Sequence, residues 1–161
     1  MSSVTDKLDT VRSFLESQST AVLATADAEG APHCTPIFYL PARTPNPDDF
    51  DLFWVSSAGS QHSRNIAARK QISASVFQAT FEWRQIAGVQ MRGVVSEASH
   101  GVCEAVLERY KERFELGTGF SAALAIARLY VFEPRWLRFT DNSRHFGYKF
   151  ELVREEDGHW R

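Results

Sequence analysis

The sequence predicts a mainly β, α+β fold in which six or seven antiparallel strands form a barrel with helices at its periphery. Short runs rich in β-branched and aromatic residues follow one another through hairpin-type turns. The helical segments do not alternate regularly with these strands, which argues against a parallel doubly wound sheet. Gly88 and Gly93 lie within one predicted strand, a position typical of the bulges and bends that barrels need at their corners.

The first half of the chain predicts one helix followed by a hairpin. Leu8, Val11, Phe14 and Leu15 recur at helical spacing and predict an amphipathic helix over residues 5–18. Strands are predicted at 22–25 and 32–40, on either side of a turn at 27–30 that ends in glycine. The proline-rich residues 41–49 predict a surface loop, and a third strand follows at 50–56.

The second half predicts further strands around two or three helices. A short helix over 61–69 precedes strands at 72–78 and 85–98, and a longer helix begins at Ser99 or His100. We expect a short helical return over 120–127, a long strand over 129–140 and a last strand over 147–153.

The composition indicates one globular domain. The chain has 161 residues, of which 43% are hydrophobic and 12% aromatic. We expect a single domain over residues 1–153 and a charged, mobile tail over residues 154–161. A net charge of −2 with scattered Lys and Arg argues against nucleic-acid binding. The start of the chain has no signal-peptide pattern and no segment reaches transmembrane length, so we expect a cytoplasmic protein that has no membrane partner.

The two cysteines, Cys34 and Cys103, indicate neither a disulfide framework nor a metal site. His33 and Cys34 are adjacent and therefore point to opposite faces of a strand, and no Cys-x-x-Cys or His-Glu-x-x-His spacing occurs. We expect Cys34 to be a small buried packing residue, and we expect no bound metal.

The segment from Val55 to Asn65 is the most informative for function. An apolar strand ends there in Ser56, and Ser60 is suited to cap a helix that begins at the next residue. A strand that leads through a Ser/Gly turn into a helix presents free backbone N–H groups and the positive end of the helix dipole. We predict a phosphate site with His62 and Arg64 adding positive charge, while an ordinary capped turn remains the alternative.

Four short motifs occur in a characteristic order. They are Gly30-Ala31-Pro32-His33 at the hairpin turn, Ser60-x-His62 after an apolar strand, Gly88-Val89-Gln90-x-Arg92-Gly93 in a later strand, and the closing Phe139-Thr140-Asp141-Asn142. This order resembles the pyridoxamine 5'-phosphate oxidase-like FMN-binding split-barrel family, in its small bacterial branch, from about residue 8 to about residue 152. The resemblance implies a homodimer of antiparallel split β-barrels, with one FMN in each of two clefts at the interface.

The resemblance also implies roles for individual residues. Strand two lines the flavin edge, the end of strand three contacts the cofactor, and the turn beginning at Ser60 holds the phosphate. Gln90 is contributed across the dimer, and Arg64 is a substitute cation for the phosphate. The implied cofactor-binding residues are Thr35, Pro36, Ile37, Val55, Ser56, Ser60, Gln61, His62, Arg64 and Gln90.

Three positions depart from the family's oxidase motif. Thr35 and Gln61 stand where that motif has arginines, and His62 stands where it has a lysine. Each change removes a charge-assisted hydrogen bond to phosphate, which is worth about 1.5–3 kcal/mol. We therefore expect weaker FMN binding than in a true oxidase. Oxidation of pyridoxamine phosphate is not expected, because the only candidate for a second phosphate site, Arg144 with His145, also fits an ordinary polar turn.

The leading functional hypothesis is an FMN-dependent oxidoreductase acting on an unknown small-molecule substrate, in which the flavin carries the redox chemistry. The alternative is a non-enzymatic module that binds another planar ligand, a deazaflavin or haem, in the same dimer cleft. His33, His62 and His145 are the candidate haem ligands. A third hypothesis is a barrel with an empty cleft that serves protein interaction.

Overall fold

The computed structural model describes residues 2–42, 50–117, 119 and 126–161, without the side chains of 100–103. In this part of the chain, eight antiparallel strands form one curved sheet, accompanied by three α-helices. The helices are α1 (Val4–Ser17), α2 (Gln61–Ala68) and α3 (His100–Arg113), and a 3₁₀ turn spans Trp83–Gln85. The strands are β1 (Thr20–Ala26), β2 (Pro32–Phe38), β3 (Leu40–Ala42), β4 (Asp51–Ser57), β5 (Gln71–Phe77), β6 (Ala87–Glu97), β7 (Ala127–Asp141) and β8 (Lys149–Val153). The predicted mainly β, split-barrel fold with peripheral helices is confirmed.

The sheet runs in the order β2-β1-β5-β6-β7-β4-β3, and β8 is added to β7. The strand count of eight exceeds the predicted six or seven because residues 40–42, assigned from sequence to the end of one strand and the start of a loop, form the short strand β3. Pro41 is tolerated there because β3 is an edge strand that, in the described part of the chain, pairs with β4 alone. Residues 43–49 of the predicted loop and 120–125 of the predicted helical return lie outside the described residues.

The first helix folds as its sequence predicts. The Ser3 hydroxyl accepts the Asp6 N–H while the Asp6 carboxylate accepts the Ser3 N–H, which forms a capping box. Leu8, Val11 and Leu15 are buried against the inner face of the sheet. This helix therefore closes one side of the barrel core.

The core consists of two clusters on opposite faces of β4. Trp54 is fully buried in the main cluster, and its ring stacks on Tyr130 with 5.5 Å between ring centroids. Phe53 points to the other face and packs in the second cluster with Val106 and Tyr110 of α3. The alternating side chains of β4 thus anchor both the barrel interior and the helix that covers its outside.

A β-bulge lies where the sequence predicted one. The register between β6 and β7 shifts between Arg92 and Gly93, and Gly93 stands opposite Pro134. A β-carbon on Gly93 would lie 2.1 Å from the carbonyl oxygen of Glu133. Only glycine lets the two backbones approach this closely, which fixes the bend of the sheet at this point.

Two expectations from the sequence are corrected by packing. Residues 154–161 are not a mobile tail, because Arg154 and Trp160 form a β-bridge and the Trp160 ring stacks on Phe50 with 5.4 Å between centroids. Cys34 is exposed, not a buried packing residue, because β2 is an edge strand whose outer face is uncovered in the single chain. Among the described residues, no helix is long and apolar enough for a membrane crossing.

Candidate functional site

The N-terminus of α2 has the geometry of an anion site. The Ser60 hydroxyl accepts the N–H of Ser63 at 3.3 Å, which confirms Ser60 as the N-cap. The first turn contains no acidic residue. Within the described part of the chain, no acceptor is found for the backbone N–H groups of Gln61 and His62. These two donors and the helix dipole therefore remain available for a negatively charged group.

Five side chains converge beside this helix terminus, and we call them the hydroxyl–imidazole cluster: His33, Thr35, Ser56, Ser60 and His62. The Ser60 oxygen lies 3.2 Å from the Ser56 oxygen and 3.3 Å from Nε2 of His62. On β2, the Thr35 hydroxyl lies 2.8 Å from Nε2 of His33. Three elements thus supply hydroxyl groups and imidazoles to one place.

Burial and the neighbouring His33 determine the charge state of His62. His62 is only 6% exposed. Burial, and to a smaller extent electrostatic repulsion by His33, lowers the pKa of His62 below its usual 6.5. At neutral pH the site therefore holds a neutral imidazole that can accept a proton when a negative group binds beside it.

Buried hydrogen bonds hold α2 against β1 and β2. Asn65 is 2% exposed, and its side-chain amide donates to the Thr25 hydroxyl at 3.0 Å. The Thr25 hydroxyl in turn donates to the carbonyl oxygen of His33 at 3.4 Å. This chain of contacts fixes the position of His62 on the helix relative to His33 on the strand.

Gln61 and Arg64 lie on the exposed side of the same turn. The Arg64 guanidinium donates to the carbonyl oxygen of Gly59 and, at 2.6 Å, to the side-chain oxygen of Gln61. The Gln61 amide donates to Asn65 at 2.8 Å. Arg64 thus places its charge at the helix terminus, and no hydrogen bond to His62 is found among the described residues.

The remaining predicted cofactor residues lie on two faces of the sheet. Ile37 shares the inner face of β2 with Thr35 and packs against the main core, and Val55 packs against the second core cluster. Pro36 is exposed on the outer face of β2. Gln90 is exposed on β6, where it borders a cavity of about 490 Å³ together with Cys34. Within one chain, Gln90 and the hydroxyl–imidazole cluster therefore occupy different faces.

The residues at 141–148 form a separate polar turn. Arg144 lies 3.5 Å from the Asp141 carboxylate and donates to the Tyr148 hydroxyl at 3.2 Å, while His145 is exposed. Phe146 makes an edge contact with Trp83 at 5.5 Å between centroids. These contacts account for the turn without a bound ligand.

Sequence analysis did not place Thr25, Ser63 and Asn65 in the site. Their contacts join segments separated by up to 40 residues, as in the Asn65–Thr25 hydrogen bond. The alternation of His33 and Thr35 along one strand was a signal available from the sequence, because residues two apart share a face. Buried polar residues on a short helix are the second signal, visible only once burial is known.

The sheet order, the short helix after β4 and the polar cleft at its start define the class of split β-barrel proteins. The sequence matches the model of the pyridoxamine 5'-phosphate oxidase family over residues 8–141. This match spans most of the chain, and the protein belongs to that family.

Several individual proteins are similar to this chain. A UPF0306 protein from Cronobacter sakazakii is 28% identical over 151 residues, which covers 94% of this chain and 98% of the relative. A pyridoxamine 5'-phosphate oxidase-related, FMN-binding protein from Nostoc punctiforme superposes with a TM-score of 0.69 at 13% identity, covering 100% of this chain and 97% of the other. The haem storage protein HutZ from Vibrio cholerae superposes with a TM-score of 0.62 at 23% identity, covering 78% of this chain and 88% of the other. At these identities the structural matches establish the fold alone.

Proposed function

We propose that the protein binds FMN and acts as a flavin-dependent oxidoreductase on a small molecule. The observation that carries this proposal is the free N-terminus of α2 next to the hydroxyl–imidazole cluster. Two unpaired backbone N–H groups, two serine hydroxyls and a protonatable imidazole form a suitable partner set for a phosphate group. A self-capped turn filled by the protein's own carboxylates, which would exclude a phosphate, is not found among the described residues.

The edge strand β2 supports the placement of the flavin ring. Because β2 pairs only with β1 among the described strands, alternate backbone groups along Thr35, Pro36 and Ile37 have no partner strand there. Such groups suit the polar edge of a flat heterocycle, while Ile37 and Ser56, at the end of β4, supply the adjoining wall. Val55 lies on the other face of β4. Bound there, FMN supplies hydride transfer, and the residues of this chain bind and orient it and exclude water.

A homodimer completes the proposed cleft. The outer face of the sheet exposes Phe38, Phe77 and Val153, which are 56%, 57% and 38% accessible in the single chain. Gln90 lies on this face, so a second copy packed against it would bury Gln90 in the interface, and the contribution of Gln90 across the dimer stays a prediction of the family resemblance. Equilibrium sedimentation is expected to give a dimer, and a monomer that still binds FMN with full affinity would contradict the role of Gln90.

FMN is expected to stabilise the native protein against heat, because a ligand that binds only the folded state adds RT ln(1 + [L]/Kd). At about 100 times Kd this amounts to ~2.7 kcal/mol. Replacing both His62 and Arg64 by alanine is expected to weaken FMN about tenfold or more and to leave riboflavin nearly unchanged, since only FMN carries the phosphate. Fluorescence quenching of both flavins measures the two affinities.

Arg144→Ala serves as the control, because it removes a comparable charge from a turn outside the cluster. Equal losses for FMN and riboflavin in the double variant would show that the phosphate site is assigned to the wrong place. Neither quenching nor stabilisation at millimolar FMN would overturn the flavin proposal as a whole.

Haem is the second candidate ligand, and the neutral state of His62 favours it. A neutral imidazole is the form that ligates iron, and burial keeps His62 in that form. The haem-binding protein from Mycobacterium smegmatis and HutZ have the same fold. The visible spectrum of the purified protein after addition of hemin or FMN separates the two ligands, since haem gives a Soret band that His62→Ala would shift, whereas a flavin gives none. A deazaflavin, the other planar alternative, has its own absorption spectrum, which differs from the Soret band of haem and from the flavin spectrum.

A further inference from the structure

A second cavity lies at the open end of the barrel, on a different side of α2 from His62. Its volume is about 600 Å³, and it is enclosed by α2 and the ends of β6 and β7. Ser63, Ile66 and Ala67 line it from the helix, and Val95 and Tyr130 line it from the strands. We call it the barrel-end cavity. It is large enough for a small organic molecule.

The rim of the barrel-end cavity is positively charged. Arg64, Lys70 and Arg128 border it, and Glu97 is the single acidic residue among its lining. Glu97 pairs with Arg128. Arg64 donates to neutral oxygens of Gly59 and Gln61, and in the described part of the chain no carboxylate pairs with Lys70. The positive charges of Arg64 and Lys70 therefore remain uncompensated at the mouth of the barrel-end cavity.

The interior of the cavity offers an unused hydrogen-bonding group. Tyr130 is 4% exposed, and its ring is held by stacking on Trp54 at an interplanar angle of 18°. Among the described residues no hydrogen-bond partner of its hydroxyl is found, although the residue lines the cavity. The Tyr130 hydroxyl is therefore available to a ligand that enters the cavity.

We propose that the barrel-end cavity binds a small organic phosphate monoester. Lys70 and Arg64 attract the phosphate at the rim, and the Tyr130 hydroxyl donates a hydrogen bond to the part of the ligand inside. The apolar side chains of Ile66, Ala67 and Val95 contact its carbon skeleton. A doubly charged anion matches the two uncompensated cations better than a single carboxylate does.

This site adjoins the one proposed for FMN and shares the Arg64 guanidinium with it. Ser63 lines the barrel-end cavity, and its hydroxyl accepts a hydrogen bond from Ser60 at 2.8 Å. His62 and Asn65 point from the other side of α2 toward β1 and β2. The proposal does not depend on flavin binding, and variants of Lys70 and Tyr130, which line only the barrel-end cavity, can separate the two sites.

The test measures binding of phenyl phosphate to the full chain by calorimetry, with and without saturating FMN. We expect a Kd of about 1 mM or tighter. Lys70→Gln and Tyr130→Phe are each expected to weaken binding about tenfold, because each removes a hydrogen bond to a charged ligand while Tyr130→Phe preserves the stacking on Trp54. Arg144→Ala, which lies outside both proposed sites, is expected to leave the affinity unchanged.

Arg69→Gln is the matched control, because Arg69 adjoins Lys70 in sequence but donates to the carbonyl oxygen of Ala28, outside the cavity. If Lys70→Gln and Arg69→Gln weaken binding equally, the loss reflects the overall positive charge of this surface, and the proposed site is wrong. No detectable binding in the presence of saturating FMN, or an equal loss of binding in Arg144→Ala, would also overturn it. Tighter binding of succinate than of phenyl phosphate would exclude the phosphate monoester in favour of a dicarboxylate.

Discussion

Gly93→Ala is expected to destabilise the fold by about 3 kcal/mol, at the upper end of the range for overpacked substitutions. The added methyl group would lie 2.1 Å from the Glu133 carbonyl oxygen and 2.9 Å from a ring carbon of Phe132. A backbone oxygen cannot move aside without separating β6 from β7, the pair that carries the bulge. Urea denaturation of both proteins gives the difference in the free energy of unfolding.

Gly59→Ala provides the comparison. A β-carbon at Gly59 would lie 3.7 Å from the Ser57 hydroxyl oxygen, which is an ordinary contact. Its free energy of unfolding is expected to change by no more than about 0.5 kcal/mol. If the two glycine variants had the same denaturation midpoint, the claim that the backbones of β6 and β7 approach too closely at Gly93 for a β-carbon would be contradicted.

FMN affinity is expected to increase as the pH falls from about 8 towards 6.5, by up to about tenfold per pH unit. In the free protein, burial and the neighbouring His33 keep the pKa of His62 below 6.5. A phosphate dianion beside the imidazole raises that pKa, so binding takes up a proton. Below about pH 6 the phosphate itself becomes protonated and the increase ends. Fluorescence titrations with FMN across this range measure the effect.

Riboflavin is the ligand control, and its affinity is expected to be independent of pH, since it lacks the phosphate. His62→Lys is the protein control, because a permanent cation is expected to strengthen FMN binding about tenfold near pH 8 and to remove most of the pH dependence. A wild-type affinity for FMN that does not vary with pH, or a His62→Lys variant that keeps the full pH dependence, would contradict the role of His62.

The same histidine affects the free protein with the opposite sign. Because the folded state lowers the pKa of His62, the unfolded chain binds more protons below pH 6.5. The stability that the neutral histidine contributes is present above that pH and is lost as the pH falls through the lowered pKa. Affinities should therefore be measured directly, since melting temperatures combine two opposing effects of pH.

Local signals predicted most of the secondary structure. Helical spacing located α1, and the Ser60 cap placed the start of α2 at the residue where the structure has it. The two glycines within β6 predicted a bulge, and one of them, Gly93, lies at the shift in register. These features depend on neighbouring residues and on backbone geometry, so a single sequence contains enough information to predict them.

Long-range contacts could not be predicted in the same way. Trp160 sits in a charged segment, and only its stacking on Phe50 shows that this segment packs on the barrel. Cys34 looks like a small packing residue until the sheet order makes β2 an edge strand. In both places, whether the residue is buried or exposed depends on whether a segment distant in sequence covers it.

The amino-acid sequence by itself determined the class of fold, the family and the turn at which a phosphate is expected, because periodicity, capping and the order of short motifs are local properties. Tertiary structure decided which side chains share that turn. It brought His33 and Thr35 on β2 beside Ser60 and His62, and it buried His62 enough to lower its pKa. His33 comes near His62, and His62 is shielded from water, only when segments distant in sequence pack together. These two effects determine whether His62 is charged.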